Sequence, residues 1–500
     1  MVNGPVSPGS MGTGDRLGDL RTYNARLHGG EYSSVQDCSL NSDAAEEAPW
    51  ELMWSTGASI AYVARKAGRC ELVLSVPPVS RVEGVQKGRN AVVPLDDFGP
   101  DALVATDYTQ DLLIGVRKRI EDCSNFQIRI GSLKDGKIGH PLANNAVLTT
   151  SAFDQFIEHV PADVHAIRIY SQYIFLVVFV DRMGPYEFQI WNWMTATPLM
   201  RTIVATTGTP RFTLIDNVHF AVIGSRDSQI SVYRFISDAD RAGSASFQFK
   251  LTLPGAGVRL IPNMPPAFLF IHEISVSLPL PPSAQDPGPL GAFAMNPDAA
   301  ILMIEYTTVT GLAGGNYLLL VPTSSIRTAM LSAYSFPQTN VSLDCGEWCS
   351  DALLLDKRQP EPDMSWIYPV AHGRPYGSRM PVLVYPDAAD TTVGQVVIVE
   401  MDPWASKHAP SVAETEERER AGMGSKAVAS LREHVRLHIY GQRLRPKYTF
   451  YRGPLISLPR AIEPDGVVLD EHGISILFAQ TGPDGHNNDM ICGFQTWALV

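Results

Sequence analysis

The residues predict an all-β chain, a β-propeller of about seven blades of antiparallel strands. Three observations carry this expectation. Short apolar strands recur along the chain with polar turns between them, at the ordinary length of about five or six residues. Period-two alternation is clear in Phe126–Ile130, Phe188–Trp193 and Ile230–Phe235, and helical periodicity is absent there. The gaps between consecutive strands are too short for crossover helices, so the strands must meet through antiparallel turns.

The elements follow in order. Residues 1–49 are rich in Gly, Ser, Asp and Asn and read as a disordered tail. Trp50 to Trp54 opens the ordered part, a single domain over 50–500. Strands near Ser59–Arg65 and Cys70–Leu74 are expected to close the ring beside the C-terminal strands. Ala102–Ala105, Leu112–Val116 and Phe126–Ile130 form one three-strand phrase, and Ala166–Tyr170, Ile174–Phe179 and Phe188–Trp193 the next. The clearest copy is Arg211–Ile215, an Asp216-Asn217 turn, His219–Gly224 and Ile230–Phe235. Later copies begin at Gly291–Met295, Ala352–Leu355 and Gly466–Asp470. Units of this kind bury both faces only when stacked on neighbours, and a radial array leaves few open edges.

Two stretches break the pattern. Residues 279–289 are proline-rich and read as an extended loop. Residues 403–433 carry Glu414 to Arg420 and then Lys426 to Arg432, and read as a solvated insertion, partly helical or disordered.

Composition narrows the function. The chain has 500 residues, 45% hydrophobic and 18% charged, enough for a large core. Its 40 glycines and 37 prolines suit many turns. A formal charge of −12 argues against a nucleic-acid partner, and Arg117-Lys118-Arg119 reads as a solvated turn. Phe175 to Val180 is too short to span a bilayer, so no membrane partner is expected. Residues 1–20 carry no signal pattern. The six cysteines are therefore expected as reduced thiols in an intracellular protein, cytoplasmic or nuclear, with the Asn340-Val341-Ser342 sequon idle.

Searches for chemistry return structural explanations. Cys345 and Cys349, with Asp344 and Glu347, have the wrong spacing for zinc, and no second pair exists. His434 and His438 alternate with apolar residues as in a strand, which puts them about 13 Å apart. Gly224-Ser225-Arg226-Asp227 reads as a β-turn and Gly311 to Gly315 as a hairpin loop. No cofactor and no metal are expected, and no catalytic residue is assigned. The alternative is a propeller enzyme with carboxylates at its central channel. Asp96, Asp97, Asp216, Asp470 and Glu471 are acidic and near strand ends, although turn aspartates bonding their own backbone explain most of them. Trp191 and Trp193 share one strand face, Phe188 and Ile190 the other, and core packing accounts for both. Arginine and tyrosine mixed with turn formers mark the expected protein-binding residues: Arg374 and Tyr376, then Tyr448, Tyr451 and Arg452.

Several phrases resemble a known family. They are Val93 to Gly99 running on to Thr106–Leu113, Phe126 to Leu133 with Gly136 and His140-Pro141-Leu142-Ala143, Ile190–Trp193 with Phe212 to Phe220, and Gly453-Pro454 with Leu469–Ile474. With these the chain resembles the strand-rich, propeller-like region of F-box-containing proteins of basidiomycete fungi. The resemblance implies a non-catalytic protein-interaction module, a substrate receptor or scaffold whose partner is another protein. Family members begin with a helical F-box that docks a ubiquitin-ligase adaptor. Leu17, Leu20, Leu27 and Leu40 do not form that pattern, so no F-box is evident in residues 1–49 and an adaptor is not expected among the partners.

Overall fold

The computed structural model describes residues 32–39, 50–54, 60–66, 69–76, 79–81, 84–86, 89–99, 101–119, 122–153, 162–180, 185–235, 246–253, 268–276, 299–310, 313–334, 341–357, 366–368, 375–385, 393–401, 426–436, 438–439, 442–444, 446–457, 463–469, 473–480 and 490–499. The fold is all-β, as expected. Among the described residues there are seven sheets of four or five strands and two separate hairpins.

Strand β1 (Tyr32–Ser39) comes first and is placed last. Sheet one runs β2 (Trp50–Trp54), β3 (Ile60–Lys66), β4 (Arg69–Val76) and β7 (Arg89–Pro94), with a hairpin of β5 (Val79–Arg81) and β6 (Gly84–Gln86) before its last strand. Sheet two is β8 (Leu103–Asp107), β9 (Leu112–Arg119), β10 (Asp122–Ser132) and β11 (Val147–Ser151). Sheet three is β12 (Asp163–Tyr170), β13 (Tyr173–Phe179), β14 (Tyr186–Asn192) and β15 (Thr197–Val204). Sheet four is β16 (Pro210–Leu214), β17 (His219–Gly224), β18 (Gln229–Arg234) and β19 (Ser246–Thr252), widened by the parallel strand β23 (Val341–Leu343).

Sheet five is β20 (Phe268–Val276), β21 (Ile301–Thr310), β22 (Ala313–Pro322), β24 (Leu353–Asp356) and β28 (Val435–Arg436). Helices α1 (Thr323–Tyr334) and α2 (Cys345–Trp348) lie between β22 and β24. Sheet six is β25 (Trp366–Tyr368), β26 (Arg379–Tyr385), β27 (Val393–Glu400) and β31 (Thr449–Ser457). Helix α3 (Lys426–Glu433) and the hairpin of β29 (His438–Ile439) and β30 (Gln442–Arg443) precede β31. Sheet seven is β32 (Glu463–Leu469), β33 (Gly473–Gln480) and β34 (Met490–Leu499), and β1 pairs antiparallel with β34 at its edge.

Each sheet packs on the next. The apolar layer between sheets two and three holds Ile114, Phe126, Ile128, Ile174, Leu176 and Trp193. The layer between sheets three and four holds Phe175, Phe188, Ile190, Phe212, Phe220 and Phe235. Strand β14 therefore feeds both layers, Phe188 and Ile190 on one face and Trp191 and Trp193 on the other, as its alternation predicts. Strand β13 is buried from Tyr173 to Val178 because a neighbouring sheet covers each face. Further layers join sheets four and five, and five and six. Strand β26 meets β32, and β2 meets β34.

Turn chemistry sets the strand ends. Asp107 is buried and accepts from Thr109 N (3.0 Å), Thr109 Oγ1 (2.6 Å) and Gln110 Nε2 (2.6 Å). Gln110 Nε2 also donates to Ser171 O at 3.0 Å, and Trp193 Nε1 donates to the same carbonyl at 2.9 Å. The turn of sheet two is thus tied to that of sheet three. Asp216 accepts from Val218 N (2.9 Å) and His219 N (2.8 Å), and His219 Nδ1 lies 2.9 Å away. Asp227 accepts from Gly224 N at 2.8 Å, so Gly224–Asp227 is the expected turn.

The differences from expectation have physical causes. Tyr32–Ser39 is a strand rather than part of a disordered tail, because the distant β34 pairs with it. The strands at 60–66 and 69–76 pair with β2 and β7 in their own sheet, which meets the C-terminal strand β34 through β2. Arg117, Lys118 and Arg119 end strand β9 instead of forming a turn. Residues 426–433 of the expected solvated insertion form α3, which buries Ala427, Val428 and Leu431 against sheets five and six. Residues 279–289 and 403–425 lie outside the described residues. A disulfide joins Cys345 and Cys349, where thiols were expected. One turn of α2 brings their Cα atoms to 5.5 Å, within reach of a bridge, and Cys70 is buried. Glu347 accepts from Asp344 N at 2.6 Å and so closes the start of α2. His434 ends α3 rather than alternating in a strand, and its Nδ1 lies 2.7 Å from Asp356 O. Among the described residues no helix is long and apolar enough to cross a membrane.

Two measurements check this packing. A Cβ on Gly115 would lie 2.3 Å from Phe98 Cδ1, and Phe98 is fully buried. Gly115→Ala is expected to lower stability by about 1–3 kcal/mol, read from the urea midpoint. At Asp216, burial opposes the charge, but the bonds from His219 and the turn amides outweigh it and hold the carboxyl below its ordinary range. Asp216→Ala should cost about 1 kcal/mol at pH 7. Because the folded pKa is the lower one, that difference is present above the unfolded carboxylate pKa and must vanish as pH falls through the folded value. Urea melts from pH 7 to pH 2.5 read it directly.

Candidate functional site

The expected protein-binding residues that are described lie in and beside sheet six and differ in burial. Arg374 lies outside the described residues. Tyr376 is half-buried, and its backbone exchanges hydrogen bonds with Arg379 at 2.8 and 3.0 Å. Tyr448 packs with Phe450, ring centres 5.0 Å apart, on the layer that α3 covers. Burial pushes its phenol up, with Arg432 opposing. Tyr451 is buried, paired across β31 with Ile398 of β27. Only Arg452 is exposed. Turn formers beside aromatics suggested a rim, and in β31 Tyr451 is buried while Arg452 and Leu455 are exposed.

The acidic candidates fare similarly. Asp96 and Asp97 are exposed in a turn, where Asp97 O accepts from Arg129 Nη1. Asp216 belongs to its own turn. Asp470 and Glu471 lie outside the described residues, as do positions 311–312 of the expected glycine loop.

A different group does converge. It sits on β12, β16 and β20, the first strands of three consecutive sheets. Arg168 of β12 donates from Nη1 to Phe212 O of β16 at 2.7 Å, and its guanidinium lies 4.8 Å from the Phe212 ring centre. Its Nη2 is 3.6 Å from Glu273 Oε1 on β20. Burial works against the Arg168 charge, but Tyr170 and Glu273 outweigh it and raise its pKa. Behind β20, Glu305 of β21 pairs with Lys357 just past β24, both nearly enclosed. Burial draws the Lys357 pKa down while Glu305 opposes.

Two histidines flank this group. His165 of β12 is held below its ordinary pKa by burial and by Arg211, against a hydrogen bond to the Pro210 carbonyl, with Arg168 adding to the depression. His272 of β20 is lowered by burial, with Glu305 opposing and Lys357 and Arg211 assisting. Its Nε2 lies 2.7 Å from Thr307 Oγ1, which donates to Asn316 Oδ1 at 2.7 Å. Arg211 of β16 lies within electrostatic reach of both, and its Nε is buried without a hydrogen-bond partner.

A second polar seam joins sheets two and three. Glu187 accepts from Phe153 N (2.6 Å), Gln189 Nε2 (2.7 Å) and Arg201 Nε (2.5 Å), and Thr150 Oγ1 donates to Gln189 Oε1 at 2.6 Å. Beside it Trp191, Met200 and Arg201 line an open groove of about 370 Å³. Among the described residues no three His, Cys, Asp or Glu side chains are grouped as metal ligands.

The sequence carried a signal for the converging group that went unread. Arg168 interrupts the apolar strand Ala166–Tyr170, Arg211 opens the Phe212 strand, and His272-Glu273 stands inside Phe268–Val276. Charged residues inside otherwise apolar strands mark positions whose partners come from another sheet.

No family model matches the chain, and no curated protein sequence matches it. Solved structures with similar backbones include the β-propeller domain of the trilobed protease from Pyrococcus furiosus, at 8% identity and a TM-score of 0.34, over 90% of this chain and 96% of that one. The β-propeller domain of Nup133 from Vanderwaltozyma polyspora stands at 9% identity and a TM-score of 0.36, over 94% and 97%. Likenesses of this size transfer neither residues nor activity.

The Glu305–Lys357 pair gives a direct test. Glu305→Gln leaves an ammonium enclosed without its counter-charge and is expected to cost about 3–5 kcal/mol. Glu305→Leu combined with Lys357→Met should recover most of that loss. A double variant as unstable as the single one overturns the assignment of the cost to the unpaired charge.

Proposed function

We propose that this chain is a seven-bladed β-propeller that docks another protein, a substrate-receptor or scaffold module akin to the propeller-like region of the F-box-containing proteins it resembles. Support for the ring comes from sheet order. First strands meet first strands, β2 with β8, β8 with β12 and β16 with β20, and the last sheet takes β1 as its edge and touches β2.

The observation that carries the docking reading is how the acidic groups are engaged. Glu273 pairs with Arg168, Glu305 with Lys357, Glu187 with Arg201 and Glu400 with Arg379. A general acid or nucleophile at a channel needs a carboxyl whose proton affinity is set for transfer. These carboxylates are instead fixed as counter-charges to a guanidinium or ammonium. Among the described residues of the first strands, Arg168, Arg211, His165 and His272 offer groups suited to recognition.

The test is affinity capture with the purified chain from a fungal lysate, with chemical cross-linking and mass spectrometry. A ubiquitin-ligase adaptor is added separately as a purified protein. The expected result is a small set of proteins cross-linked to residues of the first strands or their turns, with the adaptor not retained. Retention of the adaptor would restore the full F-box role. Recovery of nothing beyond an unrelated propeller control overturns the docking reading.

A further inference from the structure

Sheets four and five each carry a fifth strand beyond the meander, β23 against β19 and β28 against β24. Sheet two ends at β11, and among the described residues no strand lies beyond it. The outer edge of β11 has free hydrogen-bonding capacity. Ile130 N donates to Ala146 O at 2.8 Å, so these two residues form a hydrogen-bonded pair. Antiparallel pairs alternate, and the register of Arg129 with Val147 then turns the amides and carbonyls of Val147, Thr149 and Ser151 away from β10. Ser151 O is reached from sheet three by Gln189 Nε2 at 2.9 Å, whereas Thr149 is exposed. Open edges are usually blunted by charge or proline. The outermost strands β7, β15 and β31 each carry an arginine and a proline, and β1 an aspartate. Strand β11 reads Val-Leu-Thr-Thr-Ser and carries neither, with Val147 43% exposed.

That edge borders the open groove of about 370 Å³ between sheets two and three. Thr149 and Ser151 form one wall, and Gln189, Trp191, Pro198 and Arg201 lie across from them. Trp191 stands opposite Pro198 in register, and Gln189 opposite Arg201, so these four share the face of sheet three turned toward β11. Pro198 and Arg201 are exposed, so this face continues past the point where β11 stops covering it. Arg201 is the one charged residue among the described lining, and Glu187 neutralises it.

We propose that this groove seats an extended, uncharged segment of a partner polypeptide, added to sheet two as a fifth strand along β11. Three features select that occupant. Outward amides and carbonyls at strand spacing are matched by a polypeptide backbone and by no small anion or cation. The chain itself fills the corresponding edge of sheet four with a strand of three residues, β23. The neutral Glu187–Arg201 pair offers nothing to a charged segment, while Trp191 and Pro198 suit an apolar side chain at every second position. The seat lies across sheet two from its first strand, β8, and is independent of what the first strands dock.

The experiment pans a random heptapeptide library on the full chain, with an unrelated propeller as the subtraction control. The most enriched peptide is then made with fluorescein and read by fluorescence anisotropy. Enriched peptides are expected to carry apolar residues at alternate positions and no excess of charge. Thr149→Pro removes the outward N–H without touching the pairing with β10, and is expected to weaken binding about tenfold, the size of one backbone hydrogen bond. Methylating every second backbone amide of the peptide should abolish binding in one register and spare it in the other. In wild type, hydrogen exchange at the Thr149 amide should slow when the peptide is added, which tests the seat even where the variant fails to fold. Any one of four results overturns the proposal: no peptide enriched over the control, equal binding by wild type and Thr149→Pro, equal effects of the two methylation registers, or unchanged exchange at Thr149. Dimerisation of the chain with Thr149 already protected and no peptide present also overturns it, and makes a second copy the occupant.

Discussion

Sheets two to five are covered on both faces. A meander of four strands has two faces, and strands such as β13, buried along six consecutive residues, leave neither face for water. The only way to satisfy such a strand without helices on both sides is to stand a second sheet against each face. Strand β14 carries out this requirement residue by residue. Its even positions join the aromatic layer with Phe175, Phe212 and Phe220, and its odd positions join the layer with Trp193 and Phe126. Burial of this kind is worth about 25 cal/mol per Å² of apolar surface, and it supplies the driving force for the whole succession of sheets.

Some of the polar groups that fall within these layers are tied across sheets. Glu187 reaches Phe153 N of the preceding sheet, and Arg168 reaches Phe212 O and Glu273 of the two that follow. Such contacts add register to packing. Apolar layers tolerate sliding, whereas a guanidinium that must meet one carbonyl and one carboxylate does not. The same Arg168 that holds adjacent sheets in register also ties the backbone just after Arg211.

Local patterns were readable from the residues wherever the deciding contacts are local. The alternation of Phe188 to Trp193, the Asp216-Asn217 turn and the Gly224–Asp227 turn all depend on neighbours within a few positions. Features decided by distant partners were not readable. Tyr451 looked like a rim tyrosine beside Arg452 and Gly453-Pro454, yet a covered strand face takes it in. The stretch ending in α3 looked solvated by its charges, although Ala427, Val428 and Leu431 were spaced to make one apolar stripe. Arg168 and Glu273 are far apart in the chain, and nothing in either strand alone announces the other. The carboxylates near strand ends drew attention for their position, while the group that converges lies inside strands.

The pairing of β1 with β34 sets an order of events during synthesis. Tyr32 pairs with Leu499, so β1 waits until β34 has been made. Until then its edge is open, and open edges recruit other chains. Translation that stops before Met490 yields a product with no partner for β1. An edge that is still bare thus marks a molecule in which β1 has not yet met β34.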